Sequence, residues 1–177
     1  GPKLRWENGK LFLSEPLERK EREMAGKWIL VPYNFTDYDE RVLHYVIRTF
    51  AGQKAVYVTL LHAYTPLPEL DGYSHAGLGS LKTTMASMWT EVREKEQELK
   101  RVREDLIDNG FQNDQVGCMF IPKAKNIGSQ LVEVARKGPY NVVVISEKPK
   151  KATRAFTRRI HDILIRELRN TEIVIIT

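Results

Sequence analysis

Five short apolar runs divide the chain: Trp28-Ile29-Leu30-Val31, Ala55-Val56-Tyr57-Val58-Thr59-Leu60-Leu61, residues 116–121, Val142-Val143-Val144-Ile145 and Ile173-Val174-Ile175-Ile176. Runs of this length with little polar alternation predict strands buried on both faces. Between them the apolar residues change to helical spacing. Val42, Tyr45, Val46 and Thr49 mark a helix over 37–50, and further helices are expected over 128–137 and about 151–169. Strands alternating with helices imply parallel βαβ units, whose right-handed crossovers put helices on both faces of one sheet.

The longest predicted element runs over about 78–109. Leu81, Met85, Met88, Val92, Leu99, Val102 and Leu106 form one stripe in steps of three and four, with Lys95 its single interruption. Such a stripe fits a coiled-coil seam; the reading preferred from sequence is a helix lying on one face of the sheet, which makes the stripe core. The segment 64–79, with Pro66, Pro68, Gly72, Gly77 and Gly79, is the one long loop.

Residues 3–26 read as a charged N-terminal extension ahead of a domain over 27–177. Asn8-Gly9 lies between short apolar stretches, a hairpin signal because both residues tolerate positive φ. Ser14 is placed to cap a short charged helix reaching about residue 23. The opening Gly1-Pro2 resembles the remnant of a cleaved tag, and Lys3 stands where a native start would place Met.

Composition narrows the class. The 177 residues are 42% hydrophobic and 29% charged, as in a soluble globular domain. No apolar run approaches the roughly 18 residues of a spanning helix. One cysteine, Cys118, rules out an internal disulfide framework and fits a cytoplasmic setting. The net charge of +5 comes from one stretch: eight basic residues stand against three acidic ones between Glu147 and Arg169. Elsewhere the charges cancel, which argues for a local basic site and against a nucleic-acid partner.

Catalytic and metal chemistry find no support. His44, His62, His75 and His161 lack paired-ligand spacing, and Cys118 lies inside an apolar strand where a thiol is usually inert. Gly77-Leu78-Gly79-Ser80 lacks the spacing of a phosphate loop. Asp37 and Asp39 are placed to complement the N-terminus of the first long helix. The chain reads as a non-enzyme.

Three segments resemble the universal stress proteins. Ile29-Leu30-Val31-Pro32-Tyr33-Asn34-Phe35-Thr36 is similar to their first strand, I-L-V-P-V-D-x-S. Leu60-Leu61-His62-Ala63 is similar to the L-L-H-V ending their second, and residues 141–146 to their fourth, D-L-I-V-M-G. The likeness covers about 27–177, apart from 64–79. It implies a Rossmann-like, three-layer α/β fold with a five-stranded parallel sheet in order 3-2-1-4-5.

ATP-binding members carry G-x2-G-x9-G-[ST] after the fourth strand, where glycine lets backbone N–H groups approach the phosphates. Here those positions fall on Ser146, Pro149, Arg159 and Ile160. Asn34 replaces the adenine-contacting aspartate. The resemblance therefore implies the glycine-less branch, generally dimeric and without ATP or another cofactor. The ligand candidates it leaves are Pro32, Asn34, Thr36, Ala63 and Ser146 at strand ends. Lys148, Lys150, Lys151, Arg154 and Arg159 offer cations to a small anion or an acidic protein segment, unless they form only a solvated helix face. The last strand, Ile173, Val174, Ile175 and Ile176, is the expected homodimer interface. The function expected is regulation through dimerisation and partner or anion binding. The alternative is a nucleotide- or anion-sensing domain of a membrane transporter, joined upstream of Lys3 at the cytoplasmic face.

Overall fold

The computed structural model of the chain describes residues 4–7, 10–13, 26–68, 78–147 and 160–177. Two strands open it, β1 (Leu4–Glu7) and β2 (Lys10–Leu13), paired antiparallel with Glu7 opposite Lys10. Then follow β3 (Lys27–Pro32), α1 (Asp37–Phe50), β4 (Val56–Tyr64), α2 (Leu78–Asp108), β5 (Val116–Pro122), α3 (Ile127–Lys137) and β6 (Val142–Ser146). Helix α4, described over 160–167, leads to β7 (Glu172–Ile176).

Strands β3 to β7 form one parallel sheet in the order β5-β4-β3-β6-β7. This is the 3-2-1-4-5 order expected from sequence. Alternate residues of each strand serve opposite faces. Ile29, Val31, Val58, Leu60 and Val144 pack with Val42 and Val46 of α1 and with Leu99, Val102 and Leu106 of α2. Trp28, Leu30, Leu61, Val143 and Ile145 pack with Leu131, Val132 and Ala135 of α3 and with Leu164 and Leu168. Central β3 has no exposed side: Ile29, Leu30 and Val31 are each fully buried.

A side-chain amide and a glycine hold the strand starts in register. Asn141 accepts the Trp28 N–H at 2.8 Å through Oδ1 and donates to the Gly26 carbonyl at 3.1 Å through Nδ2. Gly26 has φ +111°, and an added Cβ would lie 2.3 Å from the Ala55 carbonyl oxygen. Only glycine fits that approach.

The stripe on α2 requires a correction. Leu99, Val102 and Leu106 are buried, but Met85, Met88 and Val92 are only partly so and belong to neither core cluster. The reason is length. The 31 residues of α2 span about 46 Å, while the seven of β5 span about 23 Å. The sheet can cover only the C-terminal half of the helix.

The two sheet edges differ. Hairpin strand β2 lies alongside β5 without entering its ladder. At the other end β7 pairs with β6. Among the described residues, no helix is long and apolar enough to cross a membrane.

Candidate functional site

Open parallel sheets bind ligands beyond the carboxyl ends of their strands, where the strand order reverses. Here that point lies between β3 and β6. Pro32 closes β3, Asn34 follows it, Thr36 is the N-cap of α1, and Ser146 closes β6. Ala63 stands near the end of β4, packed toward α3 and α4.

Three of these residues meet at one carboxylate. Asp39, 3% exposed, accepts the Asn34 N–H (3.0 Å), the Thr36 N–H (3.1 Å) and the Thr36 hydroxyl (2.7 Å) through Oδ2. Its Oδ1 accepts the Ser146 hydroxyl at 3.1 Å. The Asp39 N–H in turn lies 3.3 Å from Thr36 Oγ1, closing a capping box at the start of α1. The sequence places Asp39 at the helix N-terminus; its bond across to Ser146 joins β6 to the same point.

Between the two N–H groups that converge on Asp39 stands Phe35, with φ +58°. A bulky residue in the left-handed region is strained and persists only where its surroundings hold it. The turn aims the Asn34 and Thr36 N–H groups at one point, a geometry that suits an anion and is met here by the Asp39 carboxylate. Packing fixes the ring: its centroid is 5.1 Å from Tyr33 and 4.9 Å from His62, both edge-on. Lys95 Nζ lies 4.6 Å from the Phe35 centroid and 3.2 Å from Glu98 Oε2. The one break in the α2 stripe is therefore a cation seated on an aromatic face.

The aromatic row continues across the strand ends. His62 stacks on Phe120 at 5.5 Å, and Phe120 on Tyr64 at 4.8 Å. The His62 Nδ1–H donates to the Tyr33 carbonyl at 2.8 Å, which fixes the neutral tautomer. Burial lowers the His62 pKa most; the Tyr33 bond opposes this and the Lys95 cation adds to it. Burial, with Asp39 nearby, pushes the Tyr33 phenol up to about 12. Sequence reasoning missed this row because its members lie on β4, β5 and the turn after β3, far apart in sequence. The lone lysine in the stripe was the signal available.

A cleft of about 690 Å³ lies beside the row, between α1 and α2. It is lined by Tyr33, Phe35, Glu40, Arg48, Glu98 and Arg101 among others, so its charges are mixed. Lys148, Lys150, Lys151, Arg154 and Arg159 lie outside the described residues, as do Pro149 and the loop residues 69–77. Ile173, Val174, Ile175 and Ile176 are partly buried in β7. Cys118 is buried with its thiol pushed up to about 11, mainly by that burial. Among the described residues, no group of three metal-ligating side chains occurs.

No protein-family model matches the sequence, and no curated protein is similar to it. Solved structures are. The hypothetical protein MJ0577 matches with a TM-score of 0.61 and 18% identity, over 86% of this chain and 96% of its own. A universal stress family protein from Burkholderia pseudomallei matches at 0.57 with 12% identity, over 85% and 95%. The chain has the universal stress protein fold. A third such structure, from Archaeoglobus fulgidus in complex with dAMP, matches at 0.55 with 16% identity, over 87% and 100%. Within this fold, the Asp39 cluster occupies the rim between the first and fourth strands of the sheet, β3 and β6.

Proposed function

We propose that this universal stress protein-like domain is a non-enzymatic regulator that works without an ATP phosphate cradle, through dimerisation by β7 and contact with an acidic or anionic partner. The observation that carries the reading is the Asp39 cluster. The donors that could greet a phosphate at this rim, the Asn34 and Thr36 N–H groups and the Thr36 and Ser146 hydroxyls, already serve the protein's own carboxylate. A phosphate brought to the same rim would displace Asp39 and meet its charge. The loss of glycine at Ser146, Pro149 and Arg159 points the same way. That a structural neighbour is a complex with dAMP makes a mononucleotide the ligand to exclude first.

Thermal shift and calorimetry with ATP, dAMP, cyclic di-AMP and inorganic phosphate test this. A ligand that binds the native state at about 100 times its Kd adds roughly 2.7 kcal/mol. The expected result is no shift with ATP and, at low salt, weak phosphate binding that disappears when Lys148, Lys150 and Lys151 become glutamine. Low-micromolar ATP affinity or ATP turnover overturns the reading.

A further inference from the structure

The half of α2 before Lys95 runs past the carboxyl ends of the strands, since Lys95 is level with Phe35, beyond the end of β3. On this projecting half Met85, Met88 and Val92 are only partly buried, and Trp89 is 50% exposed. The spacing of the stripe does not change where the sheet stops. Met85, Met88, Val92, Lys95, Leu99, Val102 and Leu106 step alternately by three and four, a repeat of 3.5 residues. That repeat keeps a seam facing another helix through a left-handed supercoil.

We propose that the projecting half of α2 pairs with the same segment of a second copy of this chain, as a short antiparallel two-helix contact centred between Met85 and Met88. In that register Met85 of each copy meets Met88 of the other. Exposed Lys82 then lies on the flank beside the other copy's Trp89, placing a cation on the indole and covering it. Each basic end at Lys82 runs along the acidic end at Glu91 and Glu94. Parallel pairing is disfavoured by charge: it sets Glu91 beside Glu96 of the other helix and Lys95 against Lys95. In this register Leu78 of one copy lies level with Lys95 of the other, an overlap of about 27 Å that sets the two sheets at opposite ends of the pair. Helix α2 packs on β4 and β5, away from β7, so this contact is separate from the edge pairing proposed above.

Cysteine cross-linking of the full chain tests the contact and its direction. Met85→Cys and Met88→Cys proteins are prepared separately in a Cys118→Ser background, then mixed under mild oxidation. A disulfide forms only when the two Cα atoms come within about 7 Å, so the mixture is expected to cross-link about tenfold faster than either variant alone. Adding Val92→Glu to both is expected to reverse the gain, and Ile175→Pro in β7 to leave it unchanged. Failure of the mixture to cross-link, or equal rates for the separate variants, overturns the proposal. So does a cross-link that disappears with Ile175→Pro. A cross-link that persists while sedimentation shows no effect of Ile175→Pro sinks only the edge pairing.

Discussion

Ser146 Oγ donates to Asp39 Oδ1 at 3.1 Å, so the end of β6 and the first turn of α1 hang on one buried carboxylate. Asp39→Ala removes the capping box and leaves three part-buried donors besides Ser146 without their acceptor. A loss of about 2–4 kcal/mol is expected. Ser146→Ala alone should cost about 0.5–1.5 kcal/mol, and almost nothing once Asp39 is alanine, because contacting partners do not add. Urea denaturation of the two single variants and the double checks the cycle; strict additivity would break the link between them.

His62 predicts a stability that depends on pH. Its folded pKa lies below the ordinary 6.5, so between the two values the unfolded chain binds more protons. Stability from this group is present above about pH 6.5 and lost as pH falls toward the folded value. His62→Phe should flatten that part of the profile. Lys95→Gln, which removes a cation that adds to the lowering, should raise the His62 midpoint followed by NMR. An unmoved midpoint would separate the two residues.

The ladder tells where proline can test the β7 edge. The Glu172 N–H donates to the Asn141 carbonyl, and the Ile176 carbonyl accepts from Glu147. Backbone groups alternate along a strand, so Glu172, Val174 and Ile176 address β6, while Ile173 and Ile175 present theirs outward. Val174→Pro would break the inner ladder and lower stability. Ile175→Pro should leave the fold intact by circular dichroism and lower the mass in sedimentation by removing the β7 pairing, with the α2 contact unaffected. An unchanged mass for a folded Ile175→Pro protein would rule out pairing through this edge.

Gln115 supplies a prediction on stability alone. The buried amide donates to the Gln53 and Val56 carbonyls at 2.7 and 2.8 Å and accepts the Gln112 N–H at 2.8 Å. Gln115→Leu keeps the bulk and loses the partners, for an expected cost of about 1–3 kcal/mol in thermal or urea unfolding. A neutral effect would mean that solvent reaches these groups.

Much of the fold was legible because buried parallel strands advertise themselves as apolar runs, and α1 falls on 37–50 as its pattern requires. Where residues outside such a run continue a strand, the pattern fails. The run from Ala55 ends at Leu61, yet β4 continues to Tyr64, which pairs with Pro122. The last three residues are held by β5 and by stacking on Phe120, neither of which leaves a local periodicity. The site was half legible. Asn34, Thr36 and Ser146 were placed by motif, but what joins them is an aspartate whose helix-capping role was evident and whose reach to β6 was not. The α2 stripe misled because spacing records which face is apolar, and not how much sheet lies beneath it.

The unequal edges of the sheet set a limit on assembly. A sheet open on both sides can keep accepting strands and grow into a fibre. Among the described residues, β2 flanks β5 and no strand lies beyond β7. When two such edges meet about a two-fold axis, each satisfies the other and no strand is left to recruit a third. If β7 pairs as proposed, sheet extension through that edge ends at two copies.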